Sequence, residues 1–367
     1  MSSFEIFMAV APGLEDLLAD EARAQGFDEV RAVAGGITCR GGWTEVWRAN
    51  LEMRGAARVL VRVGEFRAFH LAQLDKRARK FPWGDVLRPD VPVRVEASCK
   101  RSKIYHAGAA AQRVERAIAE ELGAPISKDA AVVIKVRIDD NLVTLSLDAS
   151  GEALHRRGLK QAVGKAPMRE NLAALFLRAC GYDGGEPVVD PMCGSGTFPI
   201  EAAEIAAGLQ PGRARRFAFE DFAGFDATGF AALKRPDPAR VPGQRFYGFD
   251  RDQGAIGSAR ENAARAGVAD WVDFACQPVS ALEPPAGLPG LVIANPPYGG
   301  RIGNRKQLFA LYGSFGQVLR QRFQGWRVGV ITSDAGLAKA MDLLFAPGPV
   351  VAHGGLKVRL YRAGPLG

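Results

Sequence analysis

Residues Asp190-Pro191-Met192-Cys193-Gly194-Ser195-Gly196-Thr197 decide the fold. They follow a short apolar stretch, Glu186 to Val189, that reads as a strand, and they precede Phe198 to Ala207, which reads as a helix. A glycine loop between strand and helix lets the backbone approach a ligand closely, and the helix start offers free N–H donors. The loop lacks the third glycine of the dinucleotide fingerprint and the Gly-Lys-Ser/Thr of a phosphate loop. A Gly-x-Gly on its own also occurs in ordinary turns, so the surrounding chain must supply the context.

Outward from this loop, strands and helices alternate. Arg245 to Phe249 and Leu291 to Ala294 read as strands, followed by helices at Ala255 to Ala266 and Gln307 to Arg320; Arg327 to Thr332 is a further strand. That alternation predicts a doubly wound α/β sheet. Upstream the plan differs. Residues 4–10, Ile37 to Arg40 and Val59 to Phe66 read as strands, with helices at Pro12 to Ala24 and Val46 to Leu51. A second α+β stretch has a helix at His70 to Lys80, a strand at Val91 to Ala97 and a helix at Ala107 to Leu122. The last carries one apolar stripe, Ala110, Val114, Ala117, Ile118 and Leu122. Ala131 to Ile138 and Leu142 to Asp148, joined by Asp139-Asp140-Asn141, should pair as a hairpin. The segment after Gly151 is rich in glycine and basic residues and reads as a linker. The expected divisions are therefore 1–64, 65–150, a linker at 151–166, and 167–367.

Bulk properties bound the function. A chain of 367 residues suggests two or three domains, and 47% hydrophobic with 24% charged residues is ordinary globular composition. The net charge of +8 favours a polyanionic partner without proving one. Basic residues collect at Lys76 to Lys80, at Lys100-Arg101-Ser102-Lys103, and from Arg156-Arg157 through Lys160 to Lys165, a pattern that suits dispersed phosphate contacts. Five scattered cysteines form no Cys-x-x-Cys, and the four histidines show no ligand spacing, so neither a disulfide framework nor a metal is expected. The N-terminus shows no signal peptide, and no apolar run approaches about twenty residues. A cytoplasmic protein without a membrane span is expected. Oligomeric state is open, although nothing demands a partner subunit.

Two further features carry the chemistry. Asp250 ends the strand Tyr247-Gly248-Phe249-Asp250, where an acid is placed to accept hydrogen bonds from ribose hydroxyls; it would serve equally as N-cap of the following helix. With the glycine loop it indicates an adenosine-type ligand, a device shared by nicotinamide and S-adenosylmethionine enzymes. Asn295-Pro296-Pro297-Tyr298 then selects the reaction. An exocyclic amine on a base is a poor nucleophile because its lone pair is delocalised into the ring. The Asn295 side-chain oxygen and the Pro296 carbonyl can accept both N–H bonds, turn the lone pair toward a sulfonium methyl and stabilise developing positive charge. Proline restricts the loop and removes donors, and Tyr298 can stack on a flat base. The reading is S-adenosylmethionine-dependent transfer to a planar amino group.

With these residues in hand, the chain resembles the class I N-methyltransferases that carry an Asn-Pro-Pro-Tyr signature. His155-Arg156-Arg157-Gly158, Ala166 to Ala173, Pro211-Gly212 and Arg216-Phe217-Ala218-Phe219-Glu220 narrow the resemblance to RNA guanine-N2 methyltransferases with an N-terminal THUMP domain. Bacterial 23S rRNA enzymes and tRNA-modifying relatives make up that group. The resemblance is strong from His155 to Gly303 and weaker before residue 100. It implies a ferredoxin-like segment at 1–64, a THUMP domain at 65–150, and a Rossmann-like class I domain at 167–367 with a seven-stranded mixed sheet. It also implies a cofactor site at Asp190, Met192, Cys193, Gly194, Gly196, Thr197 and Asp250, and catalysis at Asn295, Pro296, Pro297 and Tyr298. Similar enzymes usually place an aspartate after the third strand for the adenine amino group. Here Pro278 occupies that position, which leaves the Gln277 side chain or a backbone carbonyl for the contact.

The THUMP resemblance assigns Lys100, Arg101 and Lys103 to an RNA backbone or end, and Arg156, Arg157 and Lys160 to RNA crossing toward the catalytic cleft. The leading expectation is guanine-N2 methylation of RNA, 23S rRNA before tRNA. A DNA adenine or cytosine N-methyltransferase is the second, disfavoured because no sequence-reading domain is visible. A silent RNA-binding protein would not need Asn295 and Tyr298, and a nicotinamide oxidoreductase has no use for them.

Overall fold

The glycine loop leaves a central strand of the second of two sheets in the computed structural model, which describes residues 3–159, 168–235, 237–299 and 304–367. The chain clusters into two units. Unit 1 comprises Met1–Val10, Ala19–Leu154 and Arg215–Lys234; unit 2 comprises Ala11–Leu18, His155–Ala214 and Arg235–Gly367. Residues 215–234, expected within the C-terminal domain, thus belong with unit 1.

The N-terminal elements are β1 (Phe4–Ala9), α1 (Glu15–Ala24), β2 (Asp28–Val33), β3 (Gly36–Gly41), α2 (Trp43–Glu52) and β4 (Arg58–Arg67). They continue with α3 (Leu71–Arg79), β5 (Val93–Lys100), α4 (Ala107–Leu122), β6 (Val132–Asp139) and β7 (Leu142–Asp148). The two segments expected upstream of the linker share one sheet of order β2-β3-β1-β4-β7-β6-β5, because β4 pairs with β7. The expected hairpin is present as β6 and β7, with Asp140 and Asn141 at φ 51° and 61° in its turn. Asn and Asp tolerate that left-handed conformation better than most residues. On α4 the stripe Ala110, Val114, Ala117 and Ile118 is buried. The returning segment 215–234 packs aromatic rings on α2: Trp47 lies 5.7 to 6.3 Å from Phe219, Phe225 and Phe230, ring centre to ring centre.

Unit 2 contains α5 (Glu170–Ala179), β8 (Val188–Asp190) and α6 (Thr197–Ala207); α7 (Ala227–Leu233) belongs to the segment in unit 1. Then follow β9 (Phe246–Asp250), α8 (Gln253–Ala266), β10 (Val272–Cys276), β11 (Leu291–Ala294), α9 (Arg305–Arg322), β12 (Arg327–Thr332), α10 (Ala335–Ala340), β13 (Ala346–Pro347), β14 (Val351–His353) and β15 (Leu356–Ala363). The strand order is β10-β9-β8-β11-β12-β15-β13, with β14 also paired to β15. The adjacent strands β10, β9, β8, β11 and β12 run parallel and β15 runs antiparallel to β12, so the sheet is mixed, as expected. It has eight strands among the described residues rather than the expected seven, because the short β13 and β14 both pair with β15. Every residue of β8 and β11 is buried, which is why both read as unbroken apolar runs. On one face Tyr312, Phe315 and Leu319 of α9 are fully buried against Val292 and Val330. Each side chain of that size contributes roughly 1.5–3 kcal/mol when fully buried. Among the described residues no helix is long and apolar enough to cross a membrane.

Candidate active site

The order β10-β9-β8-β11 aligns the carboxyl ends of four adjacent parallel strands. Gln277, Asp250, Asp190 and Asn295 end these strands or follow them directly. Connections leave β8 and β11 in opposite directions, so the glycine loop lies at the topological switch point, where open α/β sheets bind ligands.

The glycine loop is pinned by its own backbone and by Asp250. The Cys193 N–H donates to the Phe249 carbonyl (2.8 Å), and the Gly194 N–H to Asp250 Oδ2 (3.0 Å). Asp250 Oδ1 accepts from the Asp252 N–H at 3.0 Å. The N-cap of α8 is Asp252, which takes the Gly254 and Ala255 N–H groups, so the capping role weighed for Asp250 falls two residues later. A carboxylate offers about four lone-pair sites, which leaves Asp250 acceptor capacity for ribose hydroxyls. Gly196 is the N-cap of α6 at φ 83°; a side chain there would be strained, and its Cβ would sit 2.9 Å from the Phe274 ring. At Gly194 (φ 53°) a Cβ would meet nothing within 4 Å, so that side of the loop is open to a ligand. The half-buried Gln277 donates its N–H to the Asp250 carbonyl at 2.9 Å, next to Pro278, and its side chain can serve the same pocket.

Two groups carry unmet demand. The Asp190 carboxylate is 2% exposed and accepts from the Met192 N–H (3.1 Å), with no cation paired to it among the described residues. Burial first, then the charge of Asp250, pushes its pKa well above the usual carboxylate range. Asn295 Oδ1 is buried and has no hydrogen-bond partner among the described residues. An orphaned buried acceptor costs about 1–3 kcal/mol, a cost tolerated where a ligand supplies the donor. A cationic adenosyl ligand and an amine therefore fit the residues present.

Behind the Asn295 loop stands a residue that the sequence reading missed. The fully buried Tyr312 hydroxyl donates to the Pro297 carbonyl at 3.4 Å, with Thr332 as its second neighbour. This contact occupies the Pro297 carbonyl and leaves the Pro296 carbonyl without a hydrogen bond among the described residues. Tyr298 packs against the same core as Met192, and burial pushes its phenol up to about 12, so it stays neutral. Only an aromatic at helical spacing marked Tyr312 in the sequence, and core packing explains that spacing equally well.

The basic candidates separate. Arg157 is not available to a polyanion: it is 5% exposed, and its guanidinium donates to Glu201 (2.6 Å) and Glu204 (3.2 Å) of α6. The expectation for Arg157 is corrected accordingly. Two glutamates in an otherwise apolar helix, Thr197 to Ala207, were the available signal that a buried cation must meet them. Arg156 is exposed, and Lys160 lies outside the described residues. Lys100, Arg101 and Lys103 are exposed at the end of β5, Arg101 being paired with Asp139 at 2.9 Å. The same edge shows two aromatics that the sequence reading passed over. Arg79 pairs with Glu120 and Glu121, and Arg116 with Asp75, so α3 and α4 run side by side in one direction. An aromatic and a capping histidine precede each helix: Phe69-His70 and Tyr105-His106. Tyr105 is 85% exposed, and Lys103 Nζ lies 5.6 Å over the Phe69 ring.

Comparison with known proteins adds to this geometry. Residues 157–346 match the family model described as "RMKL-like, methyltransferase domain", and residues 5–60 match "RlmL ferredoxin-like domain". A relative from Syntrophotalea carbinolica, named ribosomal RNA large subunit methyltransferase K/L, is 37% identical over 96% of this chain and 53% of its own length. The chain thus spans about half the length of the curated relatives it matches. A solved structure assigned to the methyltransferases and complexed with SAH superposes with a TM-score of 0.88 at 26% identity, over 100% of this chain and 99% of that one. Another, from Listeria monocytogenes and described as a predicted N6-adenine-specific DNA methylase, gives 0.86 at 28% identity, over 100% and 97%.

Proposed function

This chain belongs to the RMKL-like methyltransferase-domain family, and from that premise we propose that it methylates the exocyclic N2 amine of a guanine in RNA, 23S rRNA before tRNA, using S-adenosylmethionine. The observation that carries the reading is the orphaned Asn295 Oδ1, set in Asn-Pro-Pro-Tyr one strand away from the glycine loop. The bound cofactor supplies an electrophilic methyl group on a sulfonium. Asp190, Met192, Cys193, Gly194, Gly196, Thr197, Asp250 and Gln277 hold it. Asn295 Oδ1 and the Pro296 carbonyl accept the two amine N–H bonds, orient the lone pair and stabilise the charge that grows on nitrogen. Tyr298 stacks on the base, and its neutral phenol takes no part in proton transfer. Tyr312 positions the loop by holding the Pro297 carbonyl.

Residues 65–150 are assigned as the THUMP module. Lys100, Arg101 and Lys103 are its proposed phosphate contacts, while Phe69 and Tyr105 offer rings to unpaired bases; the exposed Arg156, in the linker, is a separate proposed phosphate contact. Five free thiols suit a reducing cytoplasm. Replacing Lys100 and Lys103 by glutamate is expected to weaken RNA binding about tenfold or more at low salt and to flatten the slope of log K against log salt by about 1–2. Fluorescence anisotropy over a salt series checks this, and an unchanged slope removes both residues from the contact set.

DNA adenine methylation is the second reading, favoured by the likeness to the Listeria monocytogenes structure described as a predicted N6-adenine-specific DNA methylase. Labelled S-adenosylmethionine offered with rRNA, tRNA and duplex DNA, followed by nucleoside identification, separates them. N2-methylguanosine from RNA is expected. N6-methyladenine from DNA overturns the reading.

A further inference from the structure

Unit 2 resumes at His155, and its first residues are fastened onto the back of the glycine loop. The Ser195 carbonyl, between the two glycines, accepts from Asn262 Nδ2 of α8 at 3.1 Å. Asn262 is 2% exposed. Its Oδ1 accepts from Arg265 Nη2 (2.6 Å), and Arg265 Nε donates to the Leu159 carbonyl (3.1 Å). A continuous relay therefore runs from Leu159 through Arg265 and Asn262 to Ser195. Two further ties hold the same layer. Arg157 binds Glu201 and Glu204 on α6, the helix that opens at Gly196, and Thr197 Oγ1 donates to the Met168 carbonyl at 3.5 Å.

We propose that Asn262 and Arg265 are positioning residues for the glycine loop, and that the docking of residues 155–159 onto them sets the affinity of the site for its adenosyl ligand. An amide side chain can satisfy the Ser195 carbonyl only while its own oxygen is held; otherwise it rotates between alternative partners. Arg265 supplies a hold on that oxygen, and its own guanidinium is oriented by the Leu159 carbonyl together with the more exposed Glu261 carboxylate at 3.6 Å. The N–H side of the Ser195–Gly196 peptide is held within the loop by the Cys193 carbonyl at 2.9 Å, and Asn262 holds its carbonyl side from behind. Binding an already ordered loop loses less conformational freedom than ordering it on contact. The exposed Arg156 lies inside the docked segment, so a polyanion that engages it shares a free-energy balance with the ligand, and the coupling is reciprocal.

The proposal rests on the adenosylmethionine reading, and the test separates the two. S-adenosylhomocysteine binding is measured by calorimetry on the full chain for the parent, Asn262→Ala, Arg265→Met and the double variant, with melting temperatures alongside. The methionine keeps the apolar stem of a side chain that is 29% exposed, so Arg265→Met folds even if Asn262→Ala does not. Each single variant is expected to bind about tenfold more weakly, and the double variant no more than about twofold weaker than either single, because the relay acts as one unit. Hydrogen exchange at the 194–197 amides should quicken in Arg265→Met. A parent that fails to bind S-adenosylhomocysteine overturns the cofactor reading. A parent that binds, with variants that keep its affinity while melting earlier, overturns the relay and leaves ordinary structural support.

Discussion

Asn295→Ala is expected to lower kcat about a thousandfold while S-adenosylhomocysteine affinity stays within about twofold, because the lost acceptor acts only on the amine as it becomes cationic. The cofactor loop ends about a hundred residues earlier in the chain, and its hydrogen-bond partners are Phe249, Asp250 and Asn262 rather than Asn295. Stability supplies an independent check. Asn295 Oδ1 is a buried acceptor without a donor, so its removal should leave the melting temperature unchanged or slightly higher. A drop of several degrees would mean that Asn295 is structural. Tyr312→Phe gives the graded control, since it deletes the bond to the Pro297 carbonyl and keeps the packed ring. Its expected cost is about tenfold in kcat with little change in KM. Equal losses in both variants would point to collapse of the loop. Full activity in Asn295→Ala would falsify the acceptor role.

How much of this site the sequence showed depends on how local each feature is. Three of the four strand ends were readable because β8, β9, β11 and the residues after them form short contiguous patterns, whereas β10 was not read as a strand. The α4 stripe was readable for the same reason, since burial of Ala110, Val114, Ala117 and Ile118 follows helical spacing. Arg157 was misread because its partners, Glu201 and Glu204, lie 44 and 47 residues further along the chain, and a charge beside a glycine looks solvated until its partner is known. The segment 215–234 was misplaced for a related reason: its phenylalanines read as core, but a sequence does not say which core, and theirs is built on Trp43 and Trp47 of α2. β15 escaped notice because Lys357, Arg359 and Arg362 punctuate it, although Val358 and Leu360 between them are buried. Chemistry confined to a loop is legible; a polar group whose meaning depends on a distant partner is not.

Asp190→Asn is expected to separate stability from function in opposite directions. The carboxylate is buried with one backbone donor and no cation among the described residues, so its charged form is poorly solvated in the ligand-free protein. Burial and the neighbouring Asp250 raise its pKa in the folded state. The sign follows from linkage. A folded pKa above the unfolded value means that the group favours folding below the unfolded pKa, near 3.9 for an ordinary aspartate, and loses that contribution as pH rises through the folded pKa. The amide removes the penalty of the charged form, so at a pH where the parent carboxylate is ionised the ligand-free variant should gain about 0.5–2 kcal/mol in stability. Ligand binding should move the other way. The carboxylate is matched to a cationic ligand, and its loss should weaken S-adenosylmethionine binding at least about a hundredfold. That removes about 2.3 kcal/mol of the roughly 2.7 kcal/mol of stabilisation expected at a ligand concentration a hundred times the parent Kd. The parent's affinity should also fall as pH drops through the raised pKa, whereas the variant's should be flat across that window. Thermal melts with and without ligand over a pH series that begins near the ordinary aspartate pKa and extends upward read all three effects. A variant that melts no later than the parent, or one that keeps the parent's pH-dependent affinity, would assign the unmet charge at the end of β8 to something other than ligand recognition.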